Sequence, residues 1–116
     1  LLALCKQEKL GAGTVSGIGA AGRATLGVYR VAEQVYVSRS LEGEFEIASL
    51  AGNISRQAGQ PYLHLHATLS DADGGVYAGH LSEAYISATA EIFITPLQGE
   101  LGRERDEQLG INLLVW

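Results

Sequence analysis

The stretch from Pro61 to Leu81, PYLHLHATLSDADGGVYAGHL, constrains the fold more than any other part of the chain. From Tyr62 to Ser70 apolar and polar residues alternate, the pattern of a strand whose side chains point to opposite faces at every second residue. Leu63, Leu65, Ala67 and Leu69 therefore share one face, and Tyr62, His64, His66 and Thr68 the other. A strand must return after Asp71-Ala72-Asp73-Gly74-Gly75, where Gly74 suits the left-handed position that closes a three-residue hairpin loop. The parity of that loop decides the chemistry. With Ala72, Asp73 and Gly74 as the loop, Asp71 lies opposite Gly75, Thr68 opposite Ala78, and His66 opposite His80. A two-residue loop at Asp73-Gly74 would set Ala67 against His80 and turn that imidazole to the leucine face.

Two imidazoles at i and i+2 stand about 6.5 to 7 Å apart at the backbone, close enough to converge on one ion with Zn–N bonds of roughly 2.0 to 2.1 Å. With the odd loop, His64, His66 and His80 form a candidate site for zinc or another divalent transition metal. The same pattern also fits partly exposed strand histidines that hold hydrogen-bond partners and no metal. Cys5 lies in a different element, so no thiolate joins the set; Glu91 is the next candidate if His80 is not a ligand. The pattern assigns no catalytic residue.

At 116 residues and 47% hydrophobic content, the chain is read as one domain, 1–116, able to bury a core. A formal charge of -5 argues against an electrostatic grip on phosphates, and no cluster of lysines or arginines offsets it, so DNA is not favoured as a partner. A single cysteine excludes an internal disulfide framework and suits a reducing compartment. No apolar run is long enough to cross a bilayer and no secretory signal is visible, which places the expected protein in the cytoplasm, away from membranes.

The chain begins without methionine in what reads as a helix, Leu1 to Leu10, with Leu1, Leu4 and Cys5 on its apolar side and Gly11 as its stop. Next, GAGTVSGIGAAG places Gly17, Gly19 and Gly22 at the spacing of a dinucleotide-binding fingerprint. That motif needs a strand before it and a helix opening within it, whereas Arg23 to Arg30 reads as a strand. The alternative is a bend where glycines let backbones pass closely. Gln34 to Arg39 reads as a strand. LEGEFEIASLAGNIS is extended, with Phe45, Ile47 and Ser49 on one face, and ends in a turn at Gly52-Asn53. Glu42, Glu44 and Glu46 read as a solvated face. Ala84 to Thr95 alternates as a central strand, with Ile86, Ala88, Ala90, Ile92 and Ile94 toward the core and Glu91 opposite. GELGRERDEQLG reads as a polar loop and Ile111 to Trp116 as a closing strand. Short turns between many strands predict an α+β fold, a mostly antiparallel sheet packed with one N-terminal helix in two layers. One helix is too little to cover such a sheet, so self-association is expected.

Through GIGAAGRATLGVY, LEGEFEIASLAGNIS and PYLHLHATLSDADGGVYAGHLSEAYISATAEIFI, the chain resembles the plant and prokaryote conserved (PPC) domain family over essentially its whole length. The resemblance implies a compact α+β domain that forms a homotrimer, and prokaryotic members similar to this one carry the histidines now at 64, 66 and 80. It also implies a strand before the first helix, which is missing from this sequence. The plant relatives add an AT-hook, a short Arg-Gly-Arg-Pro element that enters the minor groove of A·T-rich DNA; this chain has none.

Three functional readings follow. The first is a trimeric zinc-binding or regulatory module. The second is a zinc-dependent enzyme, a lyase or hydrolase, because three histidines with an open fourth position acidify a bound water or polarise a carbonyl of a small-molecule ligand. The resemblance extends here to part of α-acetolactate decarboxylase, at the level of fold. The third is a DNA-binding protein like the AT-hook relatives.

Overall fold

A computed structural model describes residues 1–115; Trp116, the last residue of the expected closing strand, lies outside the described residues. One short helix, α1 (Leu2–Gln7), precedes six strands: β1 (Gly13–Arg30), β2 (Val35–Gln57), β3 (Gln60–Ser70), β4 (Val76–Pro96), β5 (Gly102–Asp106) and β6 (Ile111–Val115). The fold class is the expected one, a mostly antiparallel sheet with a single N-terminal helix. Strand order is β1-β4-β3-β2-β5-β6, and β1 also pairs with β2, so the four long strands close into a ring while β5 and β6 extend it beyond β2. Among the described strands, only β2 and β5 pair in parallel, through Arg56 and Gly102.

The core sits on the inward faces of those strands. Val15, Ala21, Ala24 and Leu26 of β1 meet Leu41, Phe45, Ile47, Leu50 and Ile54 of β2 and Leu65, Ala67 and Leu69 of β3, with Cys5 of α1 against them. Each fully buried Leu or Ile of this set contributes about 1.5–3 kcal/mol by leaving water. β4 supplies partly buried side chains to the same core, among them Tyr77, Leu81, Ile92 and Ile94.

Several expectations are corrected. The helix is shorter than Leu1 to Leu10, because Lys9 adopts a left-handed φ of 53° two residues before Gly11 and ends it. Cys5 is buried, while Leu1 and Leu4 remain 41% and 43% exposed. The GIGAAG segment is not a bend. It lies inside β1, where register shifts between Gly17 and Gly19 and between Ala21 and Arg23 let an 18-residue strand curve without breaking. Its glycines do allow close passage, since a Cβ on Gly19 would collide with the Thr89 carbonyl. Gly52-Asn53 is not a turn either but the interior of a 23-residue β2, and the reversal comes later, at Ala58-Gly59, whose φ values of 47° and 74° suit a type I′ hairpin. Gly52 is required because any Cβ there would run into the His64 carbonyl of the neighbouring strand.

Two more differences concern β4 and the segment before the last strand. In β4, Ser87, Ala88 and Thr89 stand across from Ala20 alone, so the two-residue alternation fails there. Ile86 is 47% exposed and Ala88 is exposed, whereas Ile92 and Ile94 pack on the core as expected. The polar segment before the last strand is not all loop, because Gly102–Asp106 forms β5 paired antiparallel with β6. Glu42, Glu44 and Glu46 are exposed, as read from the sequence. No described helix is long and apolar enough to cross a membrane.

Candidate metal centre

The loop between β3 and β4 sets the site. Gly74 takes φ +82°, its N–H donates to the Asp71 carbonyl at 3.2 Å, and the Asp71 N–H donates to the Gly75 carbonyl at 3.0 Å. The Asp71 carboxylate fixes this three-residue loop from within, accepting the N–H groups of Gly75 at 2.7 Å and Asp73 at 3.0 Å and the Tyr77 hydroxyl at 3.1 Å. These bonds, that from Gly75 foremost, hold its pKa below the usual carboxylate value. The loop is odd, and the ladder that follows pairs Ser70 with Val76, Thr68 with Ala78 and His66 with His80.

His64 lies two residues along β3 on the same face, opposite Asn53 of β2. Ring centroids are 5.2 Å apart for His64–His66 and for His64–His80, and 5.7 Å for His66–His80. One nitrogen from each ring can be chosen so that all three lie within 4.8 Å of one another. Tetrahedral zinc with bonds of roughly 2.0 to 2.1 Å spaces its nitrogens by about 3.3 Å, so side-chain rotations of about an ångström complete the approach. His66 is exposed, whereas His64 and His80 are half-buried. Among the described residues Glu91 is not in the cluster; it pairs with Ile18, far along β4 from His80.

The electrostatics favour neutral rings. Burial lowers the His64 pKa, assisted by the Arg103 guanidinium and the two other imidazoles, and burial followed by His66 lowers that of His80. Neutral imidazole is the form that binds metal. Nδ1 of His80 is buried with no hydrogen-bond partner, a state that native interiors avoid unless an ion or water completes it. The donor set, its protonation and this orphaned nitrogen all fit a divalent transition metal.

Close backbone packing holds the rings in place. Gly79, beside His80, passes so near β1 that a Cβ would come within 2.7 Å of the Gly27 carbonyl oxygen. Tyr36 of β2 stacks at 5.2 Å from His80, and Tyr29 lies 4.9 Å behind Tyr36 with its hydroxyl donating to the Leu109 carbonyl at 2.6 Å.

Arg103 does not stand out in the sequence, because its segment reads as a polar loop. It is 8% exposed and donates to Ser55 Oγ, the Asn112 carbonyl and Asn53 Oδ1 at 2.7, 2.8 and 2.9 Å, with His64 Nδ1 at 3.4 Å. The signal was a short alternation, Arg-Glu-Arg-Asp over 103–106, which puts Arg103 and Arg105 on one side of a strand.

Comparison with known proteins agrees with this architecture. A putatively DNA-binding protein of Bacteroides thetaiotaomicron superimposes with a TM-score of 0.94 at 33% identity, over 97% of this chain and 79% of that one. A metal-containing protein of Archaeoglobus fulgidus gives 0.92 at 37% identity, over 99% and 81%. A plant- and prokaryote-conserved protein of Pyrococcus horikoshii gives 0.92 at 31%, over 99% and 80%. A 93-residue stretch is 37% identical to the bifunctional protein GlmU of a Synechococcus strain, which is 78% of this chain but only 13% of that protein, far too little to carry over its activities. The profile of the Plants and Prokaryotes Conserved (PCC) domain matches residues 1–98, and the chain belongs to that family.

Proposed function

We propose that this protein is a metal-binding PCC domain in which His64, His66 and His80 hold zinc or a similar divalent transition metal. The observation that carries this reading is the convergence of three imidazoles within 4.8 Å on one sheet face. It is supported by the Archaeoglobus relative, which is a metal-containing protein. Bound metal would act as a Lewis acid with an open fourth position. The chain's own part is to present three imidazole nitrogens, fixed by an odd loop and by the glycine contacts of Gly52 and Gly79. Elemental analysis of protein purified without added metal or a histidine tag tests the reading. About one metal per chain is expected, and metal-free protein that takes up no zinc at micromolar concentration overturns it.

The domain is proposed to work as a homotrimer, as its family resemblance implies. Ile18, Tyr85, Ile86 and Phe93 are 54%, 52%, 47% and 72% exposed, apolar surface of the kind that association covers. Light scattering at micromolar concentration is expected to give three times the chain mass; a monomer refutes the assembly. Duplex DNA is not proposed as the partner, despite the description of the Bacteroides relative. A charge of -5 gives little grip on phosphate.

A further inference from the structure

The guanidinium of Arg103 is a buried charge that the metal reading leaves unused. It donates to Ser55, Asn112 and Asn53, all neutral groups, has a further N–H facing His64 Nδ1 at 3.4 Å, and lies over the Tyr62 ring at 4.8 Å from its centroid, with no carboxylate among these neighbours. Among the described residues it forms no ion pair; those present join Arg30 to Glu33, Arg56 to Glu100 and Arg105 to Glu107. A buried charge without an opposite charge is costly, and such groups are ordinarily paired.

Arg103 lines a cavity of about 430 Å³ together with Arg105, His64, His80, Tyr36 and Tyr62. Although the chain has 13 acidic residues against 8 basic ones, none of the acidic residues lines this cavity. Ile111, Leu113 and Leu114 of β6 supply an apolar wall. A metal held by three neutral imidazoles keeps its full double positive charge and adds it to that of Arg103. The surplus calls for an anion, and the volume lies within the roughly 300–1,000 Å³ range of small-molecule sites.

We propose that this cavity binds a small carboxylic acid with a short apolar substituent. The carboxylate pairs with the Arg103 guanidinium on the side of the cavity lined by His64 and His80, where a metal held by the three histidines would supply a second positive charge, and the substituent lies against β6. The metal contact rests on the proposed function above; the guanidinium contact does not.

The test uses the full chain loaded with cobalt(II) and titrated with sodium isobutyrate at fixed ionic strength, with isobutyramide as the neutral isostere. Heat of binding and the visible cobalt spectrum are followed together. Isobutyrate is expected to saturate, to bind at least about tenfold more tightly than the amide, and to shift the cobalt bands. Arg103→Gln is expected to weaken isobutyrate at least about tenfold. Because truncating a buried arginine can unfold the protein, Arg105→Gln is measured in parallel; its side chain lines the same cavity but is exposed and paired with Glu107, so its attraction is screened and a smaller loss of about two- to fivefold is expected. Equal affinity for acid and amide in protein that has bound stoichiometric cobalt overturns the carboxylate site and leaves the metal reading standing. Protein that takes up no cobalt yet prefers isobutyrate, with the preference lost in Arg103→Gln, upholds the arginine site and overturns the metal reading.

Discussion

The two faces of β3 are made by alternate residues of one strand, yet different physics holds each. On one face Leu65, Ala67 and Leu69 are 8%, 4% and 1% exposed and pack into the core with Ile47, Leu50 and the partly buried Leu63. Their stabilisation comes from apolar area leaving water, which has no direction and tolerates substitutions of similar volume. On the other face His64 and His66 meet His80 with a geometry that only one register provides. A face held by area survives small displacements. A face built for converging donors does not, and the odd loop and the glycine contacts are what keep it in place.

The largest expected effect comes from breaking both faces together. One residue inserted beside Gly74 changes the parity of the Ala72–Gly74 loop, and a β4 shifted by one residue turns His80 off the site and, in the same rotation, sends Tyr77 and Leu81 away from the core. Zinc uptake is expected to be lost and the denaturation midpoint to fall sharply. Full zinc occupancy in a folded insertion variant whose pairing after the loop has shifted by one residue, so that His80 no longer faces His66, would show that His80 is not a ligand.

Single substitutions then separate the faces. Leu69→Ala leaves a cavity at a site 1% exposed and is expected to cost about 2–5 kcal/mol in urea denaturation. Its zinc stoichiometry is expected to stay near that of the parent wherever the protein is folded. His66→Ala does the reverse. The exposed imidazole contributes little packing, so metal-free stability is expected to change by about 0.5 kcal/mol or less, while most of the bound zinc disappears. Equal stability losses in the two variants would end the distinction between the faces.

Gly52→Ala tests what joins them. Its Cβ would run into the His64 carbonyl, so β2 and β3 must part beside the site. The expected stability loss is about 1–3 kcal/mol, as for an overpacked position, accompanied by weaker zinc binding measured by competition with a chelator. Unchanged zinc affinity would show that the backbone contact does not position His64.

How far the sequence reveals this molecule follows from the same contrast. The β3–β4 hairpin is legible because its alternation is unbroken and its turn residue, Gly74, has a conformational requirement that fixes the parity. β1 and β2 are less so, since glycines that usually signal turns are used instead for close passage of neighbouring strands, as at Gly19 and Gly52. That distinction depends on which backbone lies alongside, a tertiary fact. The three histidines are legible as one cluster because they share one hairpin. Arg103 is not legible beside them, because its approach depends on β5 docking beside β2 through a single pairing at Arg56 and Gly102.

The smallest expected effect is a pH dependence that belongs to the histidine face alone. In the metal-free protein burial holds His64 and His80 below the ordinary value of 6.5, so the unfolded chain takes up protons at these two positions before the folded one does. Stability rises with pH wherever the unfolded state binds more protons, so this contribution is complete above about pH 6.5 and is lost as pH falls through the two folded-state values. Asp71 titrates separately, because its lowered value lies beneath 3.8. Urea midpoints of metal-free protein are therefore expected to decline between pH 7.5 and 5, and the decline is expected to be shallower in a variant carrying His64→Gln and His80→Gln. Zinc sharpens the result, since protons and metal compete for the same nitrogens. With two of the three rings already reluctant to protonate, zinc should be retained to lower pH than by three solvent-exposed imidazoles. A midpoint that rises as pH falls across this window, or a slope unchanged by the double substitution, would mean that these rings are not held neutral by burial, and the face would lose the feature that prepares it for a metal.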